Sequence, residues 1–162
     1  MKSFYFTFFF FLSAVSYSAD ALDGIFANME YRIQGIMVNE TVRLVDGKYI
    51  DRYFLQVYYH DKYVLYDFNG DGLKDAAVLL TESGGGSASW PFIAFLINER
   101  GTYVHKSTCD LPTKADINEM YLENGKVVVD MNVYDKELWV QGKRKNVKKV
   151  CEYAGPAKWA TD

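Results

Sequence analysis

Beyond about residue 29, apolar and polar side chains alternate along much of this chain with a period of two. Met29-Glu30-Tyr31-Arg32-Ile33 and Thr41-Val42-Arg43-Leu44-Val45 each put every second side chain on one face, as half-buried strands do. The second of these runs into Asp46-Gly47, a strong tight-turn signal. Tyr53 to Tyr59 and Tyr63 to Tyr66 read as strands flanking a turn at His60-Asp61-Lys62. Ala76 to Leu80 and Phe92 to Ile97 are unbroken apolar runs, the pattern of strands covered on both faces. Thr102 to His105 is expected to pair with Phe92 to Ile97 through Asn98-Glu99-Arg100-Gly101. Ile117 to Leu122 and Lys126 to Tyr134 bracket a hairpin at Glu123-Asn124-Gly125, and Asn146 to Tyr153 is the last strand. Leu22 to Asn28 is the only segment read as a short helix. The prediction is a mainly β fold: a single antiparallel domain over residues 22–162, either a sandwich or one strongly curved sheet.

The beginning of the chain follows a different rule. Lys2 precedes an apolar run from Phe4 to Leu12, broken only by Thr7, and small residues follow at Ser13, Ala14, Ser16, Ser18 and Ala19. This is the pattern of a secretory leader, and the run falls short of the roughly 20 apolar residues that a membrane-spanning helix needs. The reading is a signal peptide over residues 1–18, with 1–21 as the rival boundary. A periplasmic or secreted protein follows, with no membrane span in the mature chain.

Charge and cysteine content narrow the partners. Loss of Lys2 with the leader leaves 17 basic and 21 acidic side chains. That mild acidity argues against nucleic acid or an anionic membrane as partner. Cys109 and Cys151 are the two cysteines. An even count in an exported chain favours a disulfide, two unpaired buried thiols being the alternative.

One motif carries chemistry. In Asp67-Phe68-Asn69-Gly70-Asp71-Gly72-Leu73-Lys74-Asp75, oxygen-bearing side chains occupy the first, third, fifth and ninth positions, with Gly72 at the sixth. Such spacing lets Asp67, Asn69, Asp71 and Asp75 point at one centre, with the Leu73 carbonyl as a further oxygen. A hard cation such as Ca²⁺ takes six to eight oxygens at about 2.3–2.6 Å. The motif is not an EF-hand, because Val78 stands where a bidentate Glu is required and a strand follows rather than a helix. A solvated turn is the alternative, since Asn, Gly and Asp are also the commonest turn residues.

The loop is similar to the calcium loops of FG-GAP and VCBS repeats, which run from an Asp-rich turn into an apolar strand. More widely, residues from about Tyr31 to Tyr153 resemble a family of uncharacterised secreted bacterial β-domain proteins. The resemblance rests on Leu44-Val45-Asp46-Gly47-Lys48-Tyr49, on Asp67 to Leu80, on Ser83-Gly84-Gly85-Gly86-Ser87 and on Asn124 to Asp130. It implies an exported β domain with the acidic loop as a unit, and it supplies no activity. Lys136 to Val140 departs from the Cys-Cys-Pro turn of that family.

Three functions are compatible with these residues. The favoured one is a non-enzymatic exported protein whose Ca²⁺ loop stabilises a β domain that binds an unknown protein or envelope component. The alternative is an inhibitor or adaptor that presents aromatic residues, Trp90 or Trp139, to a partner protein. A large exposed apolar patch beside Gly84–Gly86, if the fold places one there, would favour that alternative over the first. A metal-dependent hydrolase using His60 or His105 is the least supported, because neither histidine lies in a nucleophile-elbow or zinc-helix motif. The glycine-rich segment lacks the helix or Gly-Lys-Ser/Thr ending of a phosphate loop. Lys143, Arg144, Lys145, Lys148 and Lys149 read as a solvated strand edge, with a patch for an acidic partner as the other reading.

Overall fold

Two apolar strands, each facing protein on both sides, set the architecture. The computed structural model describes residues 18–34, 39–134 and 142–156; residues 1–17, which fall within the expected leader, and Trp139 lie outside them. The described residues form one helix, α1 (Ala19–Phe26), and ten strands. The strands are β1 (Glu30–Gln34), β2 (Asn39–Arg43), β3 (Lys48–Ile50), β4 (Gln56–Tyr66), β5 (Asp75–Ser83), β6 (Ser89–Glu99), β7 (Thr102–Asp110), β8 (Asp116–Glu123), β9 (Lys126–Tyr134) and β10 (Arg144–Cys151). A five-stranded meander runs β3-β4-β5-β6-β7, a second sheet runs β10-β9-β8, and β1 pairs with β2. Every pairing is antiparallel.

β5 and β6 sit at the centre of the large sheet, and their alternate residues feed two cores. Ala76, Val78, Leu80, Phe92, Ala94 and Leu96 pack with Leu22 and Phe26 of α1 and with Tyr31, Ile33 and Val42 of the β1–β2 ribbon. Ala77, Leu79, Ile93 and Phe95 face the other way, onto Val127, Val129 and Met131 of β9. A sandwich with a helix-and-ribbon cover on its outer face results. Fully burying each of the Val, Leu, Ile, Phe and Met side chains among them contributes about 1.5–3 kcal/mol. Continuous apolar runs in β5 and β6 are therefore a requirement of the architecture.

Local signals place the ends. Ser18 caps α1, its hydroxyl accepting the Ala21 amide at 3.3 Å, so the rival leader boundary at 21 falls inside the helix. Asp46 and Gly47 both take positive φ, as a tight two-residue hairpin turn demands, and Val45 bridges to Lys48. The expected turn at His60-Asp61-Lys62 is absent: β4 runs straight through it. The extra residues are absorbed as a bulge between Tyr59 and Tyr63, with Asp61 at φ 49°.

Cys109 and Cys151 form a disulfide with Cα atoms 5.9 Å apart. Cys109 belongs to β7 and Cys151 to β10, so the bond staples the two sheets together.

Candidate functional site

The acidic loop spans the gap between β4 and β5 and is built from its own side chains. Asp67 accepts three loop amides: Oδ1 takes Gly70 at 2.8 Å and Asp71 at 3.1 Å, and Oδ2 takes Gly72 at 2.8 Å. Asn69 Oδ1 accepts the Asp71 amide at 3.0 Å, while its Nδ2 donates to Asp71 Oδ2 at 2.8 Å. Asp71 Oδ1 accepts the Leu73 amide at 2.7 Å. Gly70 and Gly72 take φ of 79° and 86°, which side chains with a Cβ resist. Phe68 anchors the loop, packing edge-on against Tyr66 and Phe95.

Asp75 is set apart from the other three. Fully buried at the start of β5, it accepts Phe68 and Asn69 amides on Oδ2 and the Asn98 amide on Oδ1. Burial pushes its carboxyl above the usual range, although the three amide donors pull the other way. Asn98 in turn donates to the Lys74 carbonyl and accepts from Gly101, so one residue of β6 holds the loop exit and the β6–β7 turn.

The donor chemistry suits a hard cation. Asp67, Asn69 and Asp71 lie on the accessible side of the loop, and all their acceptor atoms are oxygens. A carboxylate offers about four acceptor positions, so the hydrogen bonds leave capacity on Asp67, Asp71 and Asp75. The arrangement as it stands is a self-satisfied turn. Among the described residues, no three His, Cys, Asp or Glu side chains are disposed as a metal-holding group.

The histidines have structural surroundings. His60 Nε2 lies 2.8 Å from the Thr81 hydroxyl, on the surface. His105 is buried on β7; its Nδ1 accepts the Arg32 amide, and its Nε2 lies 3.0 Å from the Ser107 carbonyl and 3.2 Å from the Thr108 hydroxyl. That pattern is a neutral ring protonated on Nε2, and burial lowers its pKa to about 4. The basic cluster lies on and just before β10, an edge strand. Arg144 pairs with Asp116 and stacks on Tyr134, and Lys148 reaches the Tyr121 hydroxyl.

Of the two expected aromatic anchors, Trp139 lies outside the described residues. Trp90 is half-buried on β6 and lines a cavity. The exposed pair is instead Tyr53 and Phe54, 70% and 69% accessible, in the β3–β4 connection. Asp51 Oδ1 builds this loop by accepting the Tyr53 and Leu55 amides at 2.7 and 2.8 Å. Phe54 takes φ of 71°, a strained value for a bulky side chain, and its Cβ lies against Gly85. The sequence signal was present in Asp51, a residue type that folds its side chain onto the amides that follow it. The apolar alternation from Tyr53 onward overlies it, and β4 begins only at Gln56.

No protein-family model, curated protein or solved structure matches this chain.

Proposed function

We propose that this chain is an exported, non-enzymatic binding domain whose loop at 67–75 takes up Ca²⁺ and stabilises the end of the large sheet. The observation that carries this reading is the set of hard oxygens on Asp67, Asn69 and Asp71, gathered on one accessible turn with Asp75 fixing its exit. Ca²⁺ would be held by these side chains and the Leu73 carbonyl, with water completing the shell; its contribution is charge neutralisation and loop rigidity. Export is supported by the leader pattern and by a disulfide that belongs in an oxidising compartment. Among the described residues, no helix is long and apolar enough to cross a membrane. The partner class is a protein or envelope component. The test is a thermal melt in chelator and in millimolar Ca²⁺. At an ion concentration about ten times the dissociation constant, the expected gain is about 1.4 kcal/mol, and Asp71→Ala abolishes most of it. Equal melting with and without the ion overturns the proposal.

One observation favours the adaptor reading as well. The exposed Tyr53–Phe54 pair stands beside Gly85, where an apolar patch was the distinguishing sign. In this reading the aromatic pair is the anchor that enters a partner protein. The two readings are compatible: the ion organises one end of the sheet, and the aromatic loop is presented elsewhere on it.

A further inference from the structure

Asn-Gly occurs at Asn69-Gly70 and at Asn124-Gly125, and the fold holds the two pairs very differently. The dipeptide is chemically labile. A glycine nitrogen reaches the Cγ of the preceding asparagine because glycine carries no Cβ to crowd the approach and leaves the backbone free to turn. Asparagine counts among the thermolabile residues of proteins.

Asn69 is tied down by the acidic loop. Its Oδ1 accepts the Asp71 amide at 3.0 Å, and its Nδ2 donates to Asp71 Oδ2 at 2.8 Å. The attacking atom would be the Gly70 nitrogen, whose hydrogen is donated to Asp67 Oδ1 at 2.8 Å. Attack at Asn69 therefore breaks three hydrogen bonds. Asn124 has none of these restraints. It is exposed between β8 and β9, and its side chain makes no hydrogen bond to any described residue. The Gly125 amide donates to no described backbone carbonyl. Asn124 and Gly125 take φ of 51° and 76° as the two central residues of a tight hairpin turn. The turn must open before the nitrogen meets Cγ, and exposed loop tips are where local opening costs least.

We propose that Asn124 is a site of spontaneous deamidation in the folded protein, and that the acidic loop protects Asn69 from the same reaction. The Gly125 nitrogen bonds to Asn124 Cγ, the Cγ–Nδ2 bond breaks, and the Gly125 hydrogen passes through water to the leaving nitrogen, which departs as ammonia. One water molecule then opens the five-membered imide. Opening at one carbonyl gives aspartate; opening at the other gives isoaspartate, with the main chain routed through Cβ. Either product sets a new carboxylate beside Glu123. Isoaspartate also adds a backbone atom to a turn whose two-residue length fixes the β8–β9 register. The turn is seated on Tyr66, whose hydroxyl lies 3.1 Å from where a Cβ on Gly125 would stand. Tyr66 packs in turn on Phe68 of the acidic loop. Lengthening the turn thus disturbs the corner at which this hairpin sits on β4. The reaction needs no ion, so it stands apart from Ca²⁺ binding.

The test incubates the full folded protein for weeks in chelator, at mildly alkaline pH and physiological temperature. Peptide mapping by mass spectrometry, with isoaspartate methyltransferase labelling, follows both sites. Conversion at Asn124 should outpace conversion at Asn69 by about tenfold or more, the size of three lost hydrogen bonds. In denaturant the two sites should react at similar rates. Asp67→Ala, which frees the Gly70 amide, should speed conversion at Asn69 and leave Asn124 unchanged. Asn124→Asp supplies the aspartate product as a standard, and only the isoaspartate form should lose hydrogen-exchange protection at Lys126. The proposal is overturned if Asn124 keeps its amide in the folded protein, if Asn69 converts as fast, or if the difference persists in denaturant.

Discussion

Asp75 Oδ1 accepts the backbone amide of Asn98 at 2.9 Å, joining the last residue of the acidic loop to the end of β6. The same carboxylate holds Phe68 and Asn69 at the loop entrance. One buried side chain thus fixes both ends of the loop without an ion. Asp75→Asn replaces an acceptor oxygen by a donor facing amide hydrogens. It should destabilise the protein by about 1–3 kcal/mol in chelator. Denaturant unfolding checks this, and an unchanged midpoint would remove Asp75 from the bracket role.

The disulfide joins β7 of the five-stranded sheet to β10 of the three-stranded one. Its sequence separation of 42 residues corresponds to roughly 4 kcal/mol of unfolded-chain restriction. The Cys109→Ala/Cys151→Ala double variant should lose about this much in equilibrium unfolding, and mass spectrometry of unreduced protein should find no free thiol. A variant as stable as the parent contradicts the staple.

His105 gives the protein an acid-sensitive core. Its folded pKa of about 4 lies below the ordinary 6.5, so the unfolded chain binds more protons between those values. Stability should therefore fall as pH drops from about 6.5 to about 4, by about 3 kcal/mol from this group. Comparing melting temperature against pH for the parent and His105→Gln isolates the effect. A slope that survives the substitution assigns it to other groups.

Phe54 is held in a left-handed conformation and is 69% exposed, so its contacts do not offset its strain. Phe54→Gly should raise stability by about 0.5–1 kcal/mol. If the aromatic pair anchors a partner, the same change combined with Tyr53→Ser lowers recovery of that partner from envelope extract. Reduced stability of Phe54→Gly would show that the loop is not strained as described.

Much of the fold is legible because burial on two faces leaves no choice of composition: β5 and β6 had to read as continuous apolar runs. The hairpins at Asp46-Gly47 and Asn124-Gly125 are legible because positive φ selects those residue types. The bulge in β4 was hidden, since His60-Asp61-Lys62 carries turn chemistry and only the pairing with β5 keeps the strand going. At the acidic loop, spacing grouped Asp67, Asn69, Asp71 and Asp75 around one centre, but the separate position of Asp75 depends on Asn98, 23 residues away.

The central claim is that the loop at 67–75 binds Ca²⁺, and isothermal titration of chelator-treated protein tests it most directly. The account predicts saturable binding with a dissociation constant of about 10⁻⁴–10⁻³ M, as in extracellular modules, and poor substitution by Mg²⁺, which demands a tighter octahedron. Asp71→Ala should remove the heat of binding while the fold persists. Absence of any binding at several times that concentration would mean that Asp67, Asn69 and Asp71 form a self-contained turn, and the functional account fails.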